Sequence, residues 1–166
     1  MSIAICPGSF DPMTLGHLNI IRRTSRIFDK VVVLIMVNAG KKTPMFSLDE
    51  RVEMARTVCA RFNNVEVESY DGLLAEFAKK YHGSVIVKGL RANMDFENEF
   101  QMALVNKKMN PALETMFLTS SEKYTFLSSS MVKELAGYNA DLTDFIPREI
   151  ISQVEQKAQL GRKKNG

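Results

Sequence analysis

Long apolar runs, histidine and cysteine are all scarce in this chain, and each scarcity argues against a class of protein. No apolar run approaches the ~20 residues that a membrane-spanning helix needs, so we expect no membrane association. The two histidines, His17 and His82, lie far apart and outside any Cys/His cluster, so we expect no metal held by protein ligands. With no secretory signal in view, Cys6 and Cys59 are interpreted as small core residues rather than a disulfide.

The chain also carries little net charge. The net charge is +3, part of which comes from residues 162–164, and no concentrated basic face indicates nucleic-acid binding. Pro7 and Gly8 interrupt the first apolar run, which argues against a signal peptide. We therefore expect a cytoplasmic protein whose 166 residues form one domain over residues 1–160, followed by a frayed basic tail over 161–166.

Apolar runs rich in β-branched residues alternate with helical patterns along the chain. Strands are predicted at Ser2–Cys6, Lys30–Val37, Val65–Ser69, Ser84–Lys88 and Glu114–Leu118. Helices are predicted at Leu18–Phe28, Leu48–Phe62 after a Ser47/Glu50 capping box, Gly72–Tyr81 after an Asp71 cap, Met94–Met109, Ser130–Ala136 and Glu149–Leu160. This alternation predicts an α/β fold: a Rossmann-like, five-stranded parallel sheet with helices on both faces.

Residues 7–17 carry the strongest functional signal. They read Pro-Gly-Ser-Phe-Asp-Pro-Met-Thr-Leu-Gly-His and join the first strand to the first helix. Such a junction points backbone N–H groups and a helix N-terminus at the end of a strand, where a phosphate can bind. His17 is expected in the first helical turn, beside that anion. The structural alternative is a turn in which His17 only caps or packs.

Two later segments are expected at the same edge of the sheet, because both follow a strand. The turn Lys88-Gly89-Leu90-Arg91 places two cations around a glycine, which suits phosphate but also suits a solvated turn. The run Ser128-Ser129-Ser130 opens a helix with hydroxyl and N–H groups beyond what one cap requires. Glu99, in the helix between them, could touch a ligand or only complement the helix dipole.

Together these residues resemble the bacterial phosphopantetheine adenylyltransferases, within the nucleotidyltransferases marked by a His/Thr-x-Gly-His motif. That motif reads Thr-Leu-Gly-His at residues 14–17 here. The resemblance runs in order along nearly the whole chain. It also includes Phe-Ser-Leu-Asp-Glu-Arg at 46–51, Gly-Leu-Arg-Ala at 89–92, Asp-Phe-Glu at 95–97 and Ser-Ser-Ser-Met-Val-Lys-Glu at 128–134.

The resemblance implies that ATP and 4'-phosphopantetheine react to give 3'-dephospho-coenzyme A and pyrophosphate, with Mg²⁺, in the penultimate step of coenzyme A synthesis. It also implies a homohexamer and feedback inhibition by coenzyme A. By position, the resemblance assigns ATP binding to Ser9, Phe10, His17, Gly89, Leu90, Arg91, Glu99, Tyr124, Thr125, Phe126, Leu127, Ser128, Ser129 and Ser130. It assigns binding of the acceptor to Ser9, Lys41, Leu74 and Lys88.

Two positions depart from the family pattern. Lys88 stands where the family commonly has arginine, which keeps the charge but loses the bidentate fork. The loop over 38–44 is one residue longer than in some members, so either Lys41 or Lys42 could be the lysine that positions the acceptor.

Catalysis by charge and position follows from the chemistry, because the acceptor phosphate is already ionised near neutral pH and needs no general base. His17, Lys41 and Arg91, with the helix end at 128–130, are the predicted charge stabilisers, and the transfer is predicted to be in-line without a covalent intermediate. Mg²⁺ is expected to be held mainly through ATP phosphates and water. The alternative is a related adenylyl- or cytidylyltransferase with another phosphate acceptor, such as nicotinamide mononucleotide.

Overall fold

A computed structural model describes residues 1–37, 43–91 and 93–165, and the predicted sheet lies at its centre. All neighbouring strands pair in parallel, in the order β3-β2-β1-β4-β5. The strands are β1 (Ile3–Gly8), β2 (Lys30–Met36), β3 (Val65–Tyr70), β4 (Val85–Leu90) and β5 (Glu114–Thr119). The predicted strand positions and the fold class are confirmed.

Six α-helices surround the sheet in the described part of the chain. They are α1 (Leu15–Thr24), α2 (Leu48–Cys59), α3 (Leu74–Phe77), α4 (Asn93–Met109), α5 (Ser129–Gly137) and α6 (Ile151–Asn165). Short 3₁₀ turns follow α3 at Ala78–Lys80, precede α5 at Glu122–Tyr124 and lead into α6 at Arg148–Ile150. Within the described residues, no helix is both long enough and apolar enough to cross a bilayer.

Several predicted helix boundaries were wrong. α1 begins at Leu15 because Thr14 forms its cap, three residues before the predicted start. The predicted Asp71 cap does not form, and Leu73 precedes a four-residue α3 that tightens into a 3₁₀ turn. The last helix was predicted to end at Leu160, but α6 continues to Asn165, through the segment that was assigned to a frayed tail.

The sheet separates two apolar clusters, so helices cover both faces as predicted. On one face Ala4, Val31, Val33 and Ile35 pack against α1, α2, α5 and α6. On the other face a smaller cluster contains Ile5, Val32, Leu34 and Ile86 together with Ala75, Phe77, Ala78 and Leu113. Consecutive strand residues thus face opposite layers, which explains the unbroken apolar run of β2. Cys6 and Cys59 are unpaired and buried, as predicted.

The strand order reverses between β1 and β4. The chain runs outward from β1 through β2 to β3, then crosses to β4 and β5 on the other side. β1 pairs with β2 from Ile3 to Gly8, but it pairs with β4 only at Ala4 and Ile5. β1 and β4 therefore part toward their carboxyl ends, where ligands bind in open α/β sheets.

Candidate active site

The loop after β1 forms the first wall of this crevice. Phe10 is 5% exposed and adopts a left-handed backbone conformation with φ 45°. Its ring lies edge-on to the His17 imidazole, with ring centroids 5.1 Å apart. A Cβ at Gly8 would lie 2.9 Å from the Phe10 ring, so glycine is needed for this close packing. The loop is therefore shaped around the buried Phe10 side chain.

His17 lies in the first turn of α1, as predicted, where it is the third residue, and its imidazole takes part in capping the helix. The Thr14 hydroxyl accepts from the His17 N–H at 3.2 Å, and the Thr14 N–H donates to His17 Nδ1 at 3.0 Å. Because Nδ1 accepts this bond, the neutral ring carries its proton on Nε2. His17 thus combines both readings of the sequence: it caps the helix through Nδ1 and has a donor at Nε2.

Asp11 anchors the loop to two distant elements, a role that the sequence did not suggest. Its carboxylate accepts from the N–H groups of Met45 at 3.0 Å and Phe46 at 2.9 Å, and from Lys133 Nζ at 2.6 Å. Burial by itself raises the pKa of the Asp11 carboxyl, but the hydrogen bonds from Lys133, Met45 and Phe46 outweigh it and lower the pKa. Asp11 is therefore ionised, and it holds the loop to the segment before α2 and to α5.

The serine run builds the second wall, and two of its hydroxyls already have partners. Ser128 caps α5, its hydroxyl accepting from the Met131 N–H at 3.1 Å. Ser129 donates to the Pro12 carbonyl at 2.8 Å and so joins α5 to the first loop. Ser130 is exposed. The second wall therefore rests directly on the first.

The end of β4 and Arg91 belong to the second wall as well; β4 continues to Leu90, so the predicted turn over 88–91 is mostly strand. The Arg91 guanidinium donates to the carbonyl of Leu127, immediately before the cap of α5. Gly89 lets β4 approach α1, because a Cβ there would lie 2.8 Å from Cγ1 of Ile20. Lys88 pairs with Glu99 of α4 at 3.2 Å, and both side chains are about a quarter exposed. The two positions assigned to different ligands are thus in contact.

Close backbone packing joins the first loop to the 3₁₀ turn before α5. A Cβ at Gly16 would lie 3.6 Å from Tyr124 Cβ, so the first turn of α1 lies against Tyr124. Tyr124 is half-buried, Thr125 and Phe126 are exposed, and Leu127 is buried. The three segments that the sequence singled out therefore meet at one edge of the sheet.

Of the predicted acceptor residues, Leu74 lies apart from this junction. Leu74 begins α3 after β3 and packs on the opposite face of the sheet, against the cluster of Ile5 and Val32. Lys41 lies outside the described residues, as does its alternative Lys42.

Arg51 is a buried arginine that the sequence reasoning did not assign. It lies in the first turns of α2 at 5% exposure, and its Nη1 donates to the carbonyls of Ser9 and Met36. The signal that could have revealed it is its spacing: Arg51 lies on the helical face of Ala55 and Val58, a stripe otherwise apolar.

The side chains of the site are suited to electrostatic stabilisation of bound groups. Within the described residues, no group of three or more His, Cys, Asp or Glu side chains could hold a metal ion. Burial raises the pKa of the Cys6 thiol to about 12, so this nearby thiol is not a nucleophile at neutral pH. What the walls present is cationic side chains, an imidazole and the N-termini of α1 and α5, which together suit phosphate groups.

Comparison with known proteins agrees with this geometry. Residues 5–135 match the family model described as cytidylyltransferase-like. The phosphopantetheine adenylyltransferase of Caldanaerobacter subterraneus subsp. tengcongensis is 51% identical over 95% of this chain and 98% of its own. Those of Heliobacterium modesticaldum and Clostridium botulinum strain Alaska E43 are 48% and 47% identical, over 95% and 96% of this chain and 93% and 100% of their own.

A solved structure shares the fold at much lower sequence similarity. A crystal structure from Vibrio parahaemolyticus, assigned as a nicotinate-nucleotide adenylyltransferase, superposes with a TM-score of 0.68 over 94% of this chain and 95% of its own. At 17% identity this likeness concerns the fold alone. The family match and the similarity to full-length relatives go further: this chain belongs to the phosphopantetheine adenylyltransferases, within the cytidylyltransferase-like nucleotidyltransferases.

Proposed function

We propose that this protein transfers the adenylyl group of ATP to 4'-phosphopantetheine, giving 3'-dephospho-coenzyme A and pyrophosphate. The observation that carries the proposal is the meeting of three segments at the β1/β4 switch point: the Gly8–His17 loop, the Lys88–Arg91 segment at the end of β4 and the Ser128–Ser130 helix start. Relatives that match 95% of the chain bear the name of this activity.

The reaction needs charge stabilisation more than acid–base chemistry. A phosphate monoester attacks as an anion, and pyrophosphate leaves as one, so the walls act by orienting both and by balancing charge on the α-phosphate. His17 Nε2, Arg91 and the N-terminus of α5 are assigned to that charge. Ser9, Phe10, Gly89, Leu90, Glu99 and residues 124–130 are assigned to ATP, and Ser9, Lys41, Leu74 and Lys88 to the acceptor.

Mg²⁺ fits the site as a companion of ATP rather than as a resident of the protein. Of the two carboxylates described above, Asp11 is engaged by Lys133 and two N–H groups, and Glu99 pairs with Lys88. The remaining donor set consists of cations and N–H groups, which bind phosphate oxygens and not Mg²⁺. Bound through ATP oxygens and water, the ion would neutralise the departing pyrophosphate.

The test is pyrophosphate release with a panel of acceptors. Purified protein receives Mg²⁺ and either ATP or CTP, with 4'-phosphopantetheine, nicotinamide mononucleotide, nicotinate mononucleotide or no acceptor. We expect release only with ATP and 4'-phosphopantetheine, with 3'-dephospho-coenzyme A identified by mass. Release with ATP and a mononucleotide alone, or only with CTP, would overturn the proposal in favour of another member of the superfamily.

Lys41 is proposed as the residue that holds the acceptor phosphate near the α-phosphate, with Lys42 as the alternative. Comparison of K41A with K42A separates the two. We expect kcat to fall in K41A by about 10²-fold, the effect of losing one transition-state stabiliser, and to change little in K42A. The reverse result would assign the role to Lys42.

A homohexamer belongs to the same proposal, and an apolar surface supports association. Six side chains of α4 and one of the edge strand β5 are between 38% and 55% exposed: Phe96, Phe100, Met102, Leu104, Val105, Met109 and Met116. Monomers rarely expose contiguous apolar patches of this extent. Mass measurement in solution is expected to give six copies, and a monomer at assay concentration would contradict it.

Inhibition by coenzyme A and a cytoplasmic location complete the proposal. Coenzyme A contains the pantetheine and adenylate parts of both substrates, so it can occupy both halves of the site. We expect its inhibition to be relieved by raising the substrate concentrations, and inhibition that no substrate relieves would place it elsewhere. The substrate ATP and the two unpaired thiols support the cytoplasm.

A further inference from the structure

Arg51 is a buried cation next to the first wall. Its side chain is 5% exposed, and its Nη1 lies 2.8 Å from the carbonyl oxygen of Ser9 and 3.2 Å from that of Met36. Its Nε makes a longer contact of 3.4 Å with the carbonyl of Ser47, the cap of α2. One guanidinium thus joins the residue after β1, the last residue of β2 and the start of α2.

The charge of Arg51 has no protein counter-charge in the described structure. No described carboxylate lies within ion-pair distance of it, and its hydrogen-bond acceptors are neutral carbonyls. Asp11 on the same loop is engaged by Lys133, Met45 and Phe46. Burying an unpaired charge costs free energy. Hydrogen bonds to carbonyls could be made by a neutral donor, so they do not by themselves explain why a charged side chain is buried here.

We infer that Arg51 is a positioning residue for adenylyl transfer, an inference that rests on the proposed function. Its hydrogen bonds hold the main chain at Ser9 and Met36, and so hold the end of β1 relative to the end of β2. Its uncompensated charge favours anions at that edge, where phosphates of the bound substrates supply the missing counter-charge. Geometry and charge are two separable contributions of one side chain.

Two substitutions separate these contributions. R51K keeps the charge but loses the planar fork that reaches several carbonyls, whereas R51Q also loses the charge. R61K and R61Q are the matched controls, since Arg61 near the end of the same helix also donates to a carbonyl, that of Val58 at 3.1 Å, and pairs with Glu149 away from the site.

The measurements are kcat, the KM of both substrates, thermal midpoint and the affinity for inorganic pyrophosphate by calorimetry. We expect R51K to lose roughly 10- to 100-fold in kcat with KM changed less than about threefold, as for a small misplacement of reacting groups. R51Q should in addition bind pyrophosphate at least about fivefold more weakly than R51K, since it lacks the charge. Both Arg61 variants should match the unsubstituted protein. Unchanged kcat and pyrophosphate affinity in Arg51 variants with a lowered thermal midpoint would reduce Arg51 to a structural role.

A measurement on the unsubstituted protein keeps the inference testable if the variants do not fold. The Nε–Hε resonance of Arg51 in an ¹⁵N spectrum should shift when inorganic pyrophosphate is added, and that of Arg61 should not. An unmoved Arg51 resonance at saturating pyrophosphate would overturn the inference. Because pyrophosphate binding needs no acceptor, this outcome is independent of which acceptor the panel identifies.

Discussion

The two walls of the active site differ in how firmly the rest of the chain holds them. In the Gly8–His17 loop, Phe10, Met13 and Thr14 are at most 5% exposed, and side chains from α2 and α5 reach into the loop. On the second wall Arg91 is exposed and Phe126 is 55% exposed. The first wall is a continuation of the core, whereas the second, apart from the buried Leu127, is half-buried or exposed.

This difference separates stability from catalysis. Substitutions on the first wall should lower both the free energy of unfolding and the activity, because the same contacts serve the core and the ligands. Those on the second wall should lower activity with little effect on unfolding. His17 lies at the boundary, since Nδ1 serves the helix cap while Nε2 serves the ligand.

H17A should have the largest effect on rate. Loss of the Nε2 donor is expected to lower kcat by about 10³-fold, as for removal of a strong transition-state donor, while loss of the Nδ1 cap costs about 1 kcal/mol of stability. Steady-state pyrophosphate release and thermal unfolding measure the two. H82A, at an exposed histidine remote in sequence, is the control and should change neither. A near-normal kcat in H17A would remove His17 from the mechanism.

R91A should test the second wall alone. We expect kcat/KM for ATP to fall by about 10²-fold, because a cation at the phosphates is lost, with a thermal midpoint within about 2 °C of the unsubstituted protein. R22A, at an exposed arginine of α1, serves as the control. A large loss of stability in R91A would show that the second wall also supports the core.

D11N should test the first wall through its pH dependence. It removes the charge that binds Lys133, so we expect a loss of about 1–3 kcal/mol of stability near pH 7 and a loss of activity of about tenfold. The pKa of Asp11 is lowered on folding, so its stabilisation is present above the unfolded-state pKa and is lost as pH falls through the folded-state pKa.

The free energies of unfolding of D11N and the unsubstituted protein should therefore begin to converge below a pH of about 4, the ordinary range for aspartate, and meet only below the lower folded-state pKa of Asp11. Denaturant titrations at a series of pH values measure this convergence. A difference that is constant from neutral to acid pH would show that the charge of Asp11 contributes nothing to the loop.

K88R should give the smallest effect. Arginine restores the bidentate fork that the family commonly has, so we expect KM for the acceptor to fall about two- to threefold with kcat unchanged. The ion pair with Glu99 is available to either cation, so stability should not change. An increase in KM would mean that the site is built around the shorter lysine contact.

The two walls were also unequally predictable from the sequence. Local signals reveal a strand, a glycine-containing turn and a serine run at a helix start, so the sheet, the place of His17 in the first helical turn and a cap within residues 128–130 followed directly. Nothing local shows that Asp11 binds Lys133, 122 residues away, or that Arg51 reaches Ser9, because such contacts exist only once the helices pack on the sheet.

The central claim is that the two walls hold ATP and the acceptor for one direct transfer, without an adenylyl-enzyme. The most direct test is the stereochemical course at phosphorus, with ATP carrying a chiral thio substitution at the α-phosphate and 4'-phosphopantetheine as acceptor. A single in-line displacement predicts inversion of configuration in the dephospho-coenzyme A product. Retention would require two displacements and a covalent intermediate, and would contradict the account.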